Sequence, residues 1–479
     1  MPPSPAYAPD PRYAAFNAAH AGEYADAVAP AAFPARVARY RNQRWAARIG
    51  LDALDDAEWE AAFARFAPLA SNMSVPLAMR YHGHQFGVYN PELGDGRGFL
   101  YAQLRDDRGR LLDLATKGSG RTPYSRTADG RLTLKGGVRE VLAASLLEAQ
   151  GVYTSKAFAL YETGESLVRH DEPSPTRAGV LTRLSHSHIR FGTFQRLAYL
   201  KRAELIEPLI AHCGDCYYPE ILALEGPART HAFYARVIAE SARLAASWMA
   251  AGFVHGVLNT DNMTVCGESF DYGPWRFLPA CIPSFTAAYF DEAGRYAYGR
   301  QPEAVAWNLA QLGGAIASAG EREALNTELA RYAALYREAL CDKLFARLGV
   351  ARGDLAQDAR LAQELLFWLS QTEISWPQFF HDWFCLDAGR AARSPLAAHY
   401  ETPAFAAFRT QLEARGPVQA ERLAHPIFAR ETPVSLVIEE VEAVWAPIAE
   451  HDDWSALETK LADIEALREA LALDPGGPV

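Results

Sequence analysis

Cysteine is scarce: six residues in a chain of 479, too few to frame a disulfide-stapled scaffold, so a reducing compartment is expected. Only Cys213 and Cys216 lie close together, and one CxxC without a second pair reads as structural rather than as a zinc or redox centre. An excess of positive charge is also missing. The 47 Lys and Arg against 58 Asp and Glu leave a net charge of −11 and a pI near 5.7, so nothing in the total would neutralise phosphates over a broad face, and no nucleic-acid partner is expected. Long apolar runs are absent as well. The most apolar stretch, 244–258, is interrupted by Ser247, Gly252, His255 and Gly256 and falls short of the roughly 20 residues that span a bilayer, so no membrane partner is expected. Residues 1–18 lack a basic start followed by an apolar block; no secretory signal is expected, and the cytoplasm is the default location. No internal repeat or low-complexity tract occurs apart from a Pro/Ala-rich opening, which reads as an extended arm.

What is present is the composition of a globular protein, 49% hydrophobic and 22% charged, in a length that suits two or three domains or one large two-lobed one. The spacing predicts helix over 38–69, then strands at 99–104 and 111–116 joined by the charged turn Asp106-Asp107-Arg108-Gly109. Over 136–150 the apolar Val138, Val141, Leu142, Leu146 and Ala149 recur at helical intervals, which predicts an amphipathic helix. Strands at 157–161 and 179–184 complete a mixed lobe. Beyond Thr193 helical patterns dominate, at 229–251, 304–319, 321–348 and 358–371, with a loop-rich stretch over 252–290. The expected fold class is therefore α+β, a two-lobed protein-kinase-like fold with a small β-rich N-terminal lobe and a larger helical C-terminal lobe. Its expected division is an arm at 1–37, a nucleotide-binding lobe at 38–192, a helical lobe with the metal and catalytic loop at 193–350, and a helical extension at 351–479.

Four constellations carry chemistry. Gly94, Gly96 and Gly98 around Asp95 and Arg97 would let backbone N–H groups approach a phosphate, with a guanidinium beside them, although Asp-Gly also simply makes turns. Lys117 at a strand end and Glu140 on the next helix match the pair with which kinases present an ammonium to nucleotide phosphates. In His255-Gly256-Val257-Leu258-Asn259-Thr260-Asp261-Asn262, His, Leu and Asn fall in register with H-R-D-L-x-x-x-N, and Asp271-Tyr272-Gly273 stands in for D-F-G. The position of the kinase base holds Val257, which cannot take a proton; an aspartate appears instead at Asp261. Finally Arg183 and Arg190, at a strand end and the following turn, are two bidentate cations that an orthodox kinase does not need there; a phosphate in an unusual place or plain salt bridges would account for them.

The runs Tyr81–Gly87, Leu93–Arg97, Lys117–Arg126, Asp129-Gly130-Arg131, Val138-Arg139-Glu140, His188–Phe194 and His255–Gly273 resemble the selenoprotein O (YdiU) family, kinase-like enzymes that transfer AMP, and in some members UMP, to protein side chains. The resemblance implies that ATP, the substrate, binds inverted relative to a kinase. It implies that Gly94, Gly96, Arg97, Lys117, Asp129, Gly130, Arg183 and Arg190 hold the nucleotide and that Glu140 partners the lysine. Asp261 would be the proton acceptor, Asn262 and Asp271 would bind Mg²⁺ or Mn²⁺, and Asp271 would also touch ATP. The partners implied are ATP and protein substrates, whose hydroxyl side chains would be adenylylated. Two departures from the family pattern stand out: Tyr81-His82-Gly83 replaces a common Tyr-Gly-Gly, and Tyr289-Phe290-Asp291-Glu292-Ala293-Gly294-Arg295-Tyr296 lacks the Asn-His-Ser run expected before Gly-Arg-Tyr. A phosphotransferase and a nucleotide-binding scaffold stay open as other classes; Val257 argues against the first, and the intact Asn262 and Asp271 argue against the second.

Overall fold

A computed structural model describes residues 4–170 and 172–478. Its strands among these residues are β1 (Ala25–Ala27), β2 (Val37–Arg41), β3 (Leu77–Met79), β4 (Gly83–Gln85), β5 (Val88–Asn90), β6 (Leu100–Arg105), β7 (Leu111–Lys117), β8 (Leu132–Thr133), β9 (Lys156–Leu167), β10 (Thr176–Ser185), β11 (Phe253–Val254) and β12 (Arg276–Phe277). An antiparallel sheet in the order β1-β3-β6-β7-β10-β9-β2, with β8 on β10, forms the first lobe; β4–β5 and β11–β12 are separate pairs. The helices that follow make the larger second lobe, so the fold is the two-lobed, kinase-like α+β architecture.

The β6–β7 hairpin lies where the alternation places it. Its turn is held by Asp106, whose Oδ1 accepts from the backbone N–H of Arg108 at 3.0 Å and of Arg110 at 2.9 Å. The amphipathic helix spans Leu134–Ala149, and its N-cap Thr133 accepts from the Gly136 N–H at 3.1 Å. Gly137 lies so close to β9 that a Cβ there would sit 2.5 Å from Leu160 Cδ1. That approach sets the helix depth and brings Glu140, one turn on, to the end of β7. On its outer side the helix packs against Ser455–Leu471. Arg44 ties the layers by bonding Glu148 and standing 3.6 Å from Glu465.

In the second lobe the long helix Gly226–Ala251 ends at Gly252, which is left-handed (φ 65°) and faces Trp376 so closely that a Cβ would lie 2.4 Å from its Nε1. Only glycine serves both needs, and the chain turns there into β11 and the loop that begins at His255. The helix Gln301–Ile316 reaches that loop through Gln301 and Asn308, Tyr332–Leu348 packs on Gly226–Ala251, and Leu355–Thr372 packs on Tyr332–Leu348. No helix among the described residues is long and apolar enough to cross a membrane.

Three expectations are corrected. The opening is not simply extended, because Arg12–Ala19 is helical and β1 joins the sheet, anchored by the buried Tyr13 and Tyr24. The 38–69 segment is not one helix: β2 pairs with β9, and two short helices, Gln43–Arg48 and Asp56–Phe63, follow, capped by Asn42 and Asp55. Edge pairing with a distant strand outweighs local helix propensity there. The 321–348 pattern divides at Arg331 into Arg322–Ala330 and Tyr332–Leu348.

At Gly192, the second residue of the helix Phe191–Tyr199, two distant segments meet: a Cβ there would lie 2.0 Å from the carbonyl oxygen of His82, and the His82 N–H donates to the Gly192 carbonyl at 3.0 Å. Gly192→Ala is expected to cost about 1–3 kcal/mol through overpacking against a backbone that cannot rotate away. Urea unfolding measures this; an unchanged midpoint would show that the segments can part freely.

Candidate active site

β7 ends on Lys117, whose ammonium is buried between two carboxylates. It bonds Glu140 Oε1 from the helix side and lies 2.6 Å from Asp271 Oδ1 on the loop side. Asp271 itself is held in a left-handed conformation (φ 64°), a strained state for a non-glycine residue that persists where the surroundings enforce it. Burial alone would raise the Asp271 carboxyl, but Lys117, Arg183, Arg190 and Arg97 together hold it well below its usual range.

Arg183 comes from β10, directly across from Ala115 on β7, and its Nη1 is 3.4 Å from Asp271 Oδ1. Arg190 occupies the position before the helix Phe191–Tyr199 and makes no side-chain bond to that helix end. Its Nη1 donates to the Asp261 carbonyl at 2.7 Å, its Nη2 meets Asp95 Oδ1 at 3.3 Å, and its guanidinium lies over the rings of Tyr81 and Phe270 at 4.4 and 4.8 Å. Both arginines are buried, and the Nε of each lacks a hydrogen-bond partner. Buried cationic donors without acceptors mark a place built for an anion.

These groups face a cleft of about 690 Å³, of the size that small-molecule sites occupy. Gly94, Gly96, Arg97, Lys117, Asp129, Gly130, Arg183, Arg190 and Asp271 all line it. The glycines have a packing reason as well: a Cβ at Gly94 would lie 2.3 Å from the Tyr124 ring, and one at Gly96 2.9 Å from the Tyr124 carbonyl. Asp129 sits at the rim, paired with Arg169 at 2.8 Å; burial pushes its carboxyl up, but Arg169 and the Arg131 N–H prevail and keep it lowered. Glu140 stands outside the lining, behind Lys117. Asp261 and Asn262 also stand outside it, adjoining the cleft through Arg190.

The loop bearing Asp261 is anchored by neutral groups. His255 Nε2 pairs with the Phe270 carbonyl at 2.9 Å, the His255 N–H donates to Gln301 Oε1 at 2.9 Å, and Asn308 Nδ2 donates to the Leu258 carbonyl at 2.9 Å. A short 3₁₀ turn over Thr260–Asn262 then presents both side chains. Asn262 Nδ2 donates to the Val257 carbonyl at 3.0 Å, so its Oδ1 remains an acceptor. Asp261 Oδ1 is buried without a partner, and burial, opposed by Arg190 and reinforced by Asp271, pushes this carboxyl up to about 6. Asp271 on the cleft lining and Asp261 and Asn262 beside it are thus hard oxygen donors on one side of the cleft. No cluster of three His, Cys, Asp or Glu suited to a metal occurs among the described residues. The donor set fits a hard divalent cation that completes its shell with water and phosphate oxygens better than a closed protein cage.

Several residues of the cleft escaped the sequence reading. Tyr81 and Asp95 lie within the runs Tyr81–Gly87 and Leu93–Arg97, but nothing local in those runs points to Arg190 as their partner. Arg169 arrives only through the β9–β10 hairpin and leaves no local signal. Cys213 and Cys216, on the helix Ile206–Tyr217, are free, and no metal cluster forms around them among the described residues.

The family model described as protein adenylyltransferase SelO matches residues 11–465. Proteins named protein nucleotidyltransferase YdiU are similar over most of their lengths. The one from Trichodesmium erythraeum is 42% identical over 454 residues, covering 90% of this chain and 94% of the relative. That from Synechococcus elongatus is 43% identical over 468 residues, covering 92% of each, and that from Synechocystis sp. is 43% identical over 451 residues, covering 90% and 93%.

The buried network makes its own test. Lys117→Met strands Glu140 and Asp271 together and is expected to cost about 3–5 kcal/mol, the usual penalty for breaking a buried ion pair. Lys117→Met with Glu140→Leu is expected to recover most of that loss. Urea unfolding of both variants checks the pair, and a single-variant cost under about 1 kcal/mol, the scale of an exposed pair, would contradict the geometry.

Proposed function

The chain belongs to the SelO family of protein adenylyltransferases, and from that premise we propose that it transfers AMP from ATP to serine, threonine or tyrosine hydroxyls of other proteins and releases pyrophosphate. The observation that carries this reading is the pair of buried arginines, Arg183 and Arg190, each with an unpartnered Nε, beside Lys117. In a kinase the γ-phosphate faces the acceptor, next to the aspartate of H-R-D. Here that position is Val257, and the surplus cations offer the β- and γ-phosphates a place inside the cleft, which turns the nucleotide round and leaves the α-phosphate nearest Asp261.

In this reading Gly94, Gly96, Arg97, Asp129 and Gly130 hold the rest of the nucleotide, and Glu140 fixes the Lys117 ammonium. The acceptor hydroxyl oxygen bonds to the α-phosphorus, its proton passes to Asp261, and the bond from the α-phosphorus to the bridging oxygen breaks. Arg183, Arg190 and Lys117 stabilise the charge that develops on the leaving pyrophosphate. Asn262 and Asp271 would hold Mg²⁺ or Mn²⁺, which when bound supplies further charge neutralisation at the phosphates. UTP is a second donor to be compared with ATP. Six free thiols support a cytoplasmic setting.

ATP labelled at the α-phosphate is expected to label protein acceptors, with a mass gain of one AMP, whereas γ-labelled ATP is not. Label from γ alone would make the chain a conventional kinase. Asp261→Asn is expected to lower turnover by about 10²–10⁴-fold, the usual contribution of a general base, with a much smaller change in ATP affinity. Calorimetry beside steady-state rates decides this: an affinity loss as large as the rate loss would make Asp261 a nucleotide or metal ligand instead of the base.

A further inference from the structure

The departing stretch from Tyr289 to Tyr296 takes no part in the cleft but lies beside the catalytic loop. Tyr289 and Phe290 are 80% and 48% exposed, and Val88, in the β4–β5 hairpin, is 72% exposed. Tyr289 and Phe290, whose rings stand 5.1 Å apart, form an exposed aromatic pair of the kind that marks an interaction surface. This one is joined to Asp261 by a continuous set of contacts. The rings of Phe290 and Phe86 are 5.7 Å apart, and those of Phe86 and Tyr296 are 5.0 Å apart. Asn259 Oδ1 accepts from the Phe86 N–H at 3.1 Å and from the Tyr296 hydroxyl at 2.8 Å, two residues before Asp261. Gly83, in the same hairpin, approaches so closely that a Cβ would lie 3.0 Å from Asp261 Oδ1. The hairpin and the 289–296 stretch therefore wall the ground beside the Asp261 carboxylate.

Charge on this face is specific. Arg295 packs over Gly87 and lies 5.9 Å over the Trp307 ring, and its guanidinium has no carboxylate within 4.0 Å among the described residues. With Tyr296, Arg300, Glu303 and Trp307 it lines a pocket of about 60 Å³, in which Arg300 stands 3.4 Å from Glu303 and offsets that carboxylate, leaving Arg295 as the cation without an acidic partner among the described residues.

We propose that this face docks the acceptor polypeptide: Tyr289 and Phe290 receive a large apolar side chain flanking the modified hydroxyl, and Arg295 receives a carboxylate of the same segment. The inference rests on the adenylyl-transfer reading and adds to it the class of acceptor, an apolar and acidic segment. An acceptor hydroxyl must come within hydrogen-bond reach of Asp261, so the chain on either side of that hydroxyl has to cross these walls. Apolar burial on the aromatic pair and neutralisation of the unpaired guanidinium then favour segments with both features.

The test uses the full chain with positional-scanning libraries of peptides centred on Ser, Thr or Tyr and with α-labelled ATP, comparing wild type, Tyr289→Ser with Phe290→Ser, and Arg295→Gln. Wild type is expected to favour a large apolar residue near the acceptor and an Asp or Glu at a second position. The double variant is expected to lose the apolar preference and to raise the peptide KM about 10- to 100-fold, the scale of one lost apolar pocket contact, with ATP affinity unchanged. Arg295→Gln is expected to lose only the acidic preference. The mutated side chains are exposed or rim groups, so melting temperatures should match wild type. A wild-type enzyme without either preference, or variants that retain both preferences and the wild-type KM, would overturn the proposal. Label still arriving from the α-phosphate in those arms would leave the reaction reading standing, whereas label from γ alone would remove that reading.

Discussion

An ammonium enclosed by two carboxylates, Lys117 between Glu140 and Asp271, is the constraint from which the rest of the site follows. Three elements distant in sequence must meet for it to exist: the end of β7, the helix Leu134–Ala149 and the loop after Phe270. The triad alone carries one negative charge in excess, which a buried site tolerates only with further cations. Arg183, Arg190 and Arg97 supply them, and they tip the cleft to a local positive charge inside a chain whose net charge is −11. Global acidity and a polyanion site coexist because the field of a narrow, water-poor cleft is set by its nearest groups.

Positioning and charge are divided between different residue types. His255, Asn259, Gln301 and Asn308 hold the loop bearing Asp261 through neutral hydrogen bonds, which keep their geometry without contributing net charge. The ionised groups are kept for the cleft. Asp261 occupies the one ionisable position of the loop that the neutral scaffold leaves without a partner for an oxygen, four residues beyond the apolar Val257. Arg190 bonds the Asp261 carbonyl directly and so ties the cations of the cleft to this loop.

Features carried by short-range periodicity were legible in the sequence. The β6–β7 hairpin and the helix bearing Glu140 are written in local alternation and helical spacing, and the loop His255–Asp271 in a dense motif. Nine of the proposed site residues do face one cleft. What escaped depends on register between distant segments. β2 forms because Val37–Arg41 finds β9, and β1 because Ala25–Ala27 finds β3; neither partner can be read from the segment itself. Arg169 and Tyr81 reach the cleft in the same way, by hairpin geometry and by ring stacking under Arg190. Gly94 and Gly96 were legible as glycines needed by a close approach, yet the approach that the structure contains is that of Tyr124.

The clamp on the helix Leu134–Ala149 bears on how such a molecule could be switched off. Kinase-like folds commonly toggle by swinging the equivalent helix away and separating its glutamate from the lysine. Here the sheet lies on one side and Ser455–Leu471 on the other, and Val138, Val141, Leu142 and Leu146 are all at or below 1% exposed. Baring side chains of that size costs about 1.5–3 kcal/mol each, so a swung-out conformer bears that penalty for every one it exposes. Control that acts on what enters the cleft or reaches its mouth bears none of that cost and leaves the Lys117–Glu140 pair assembled.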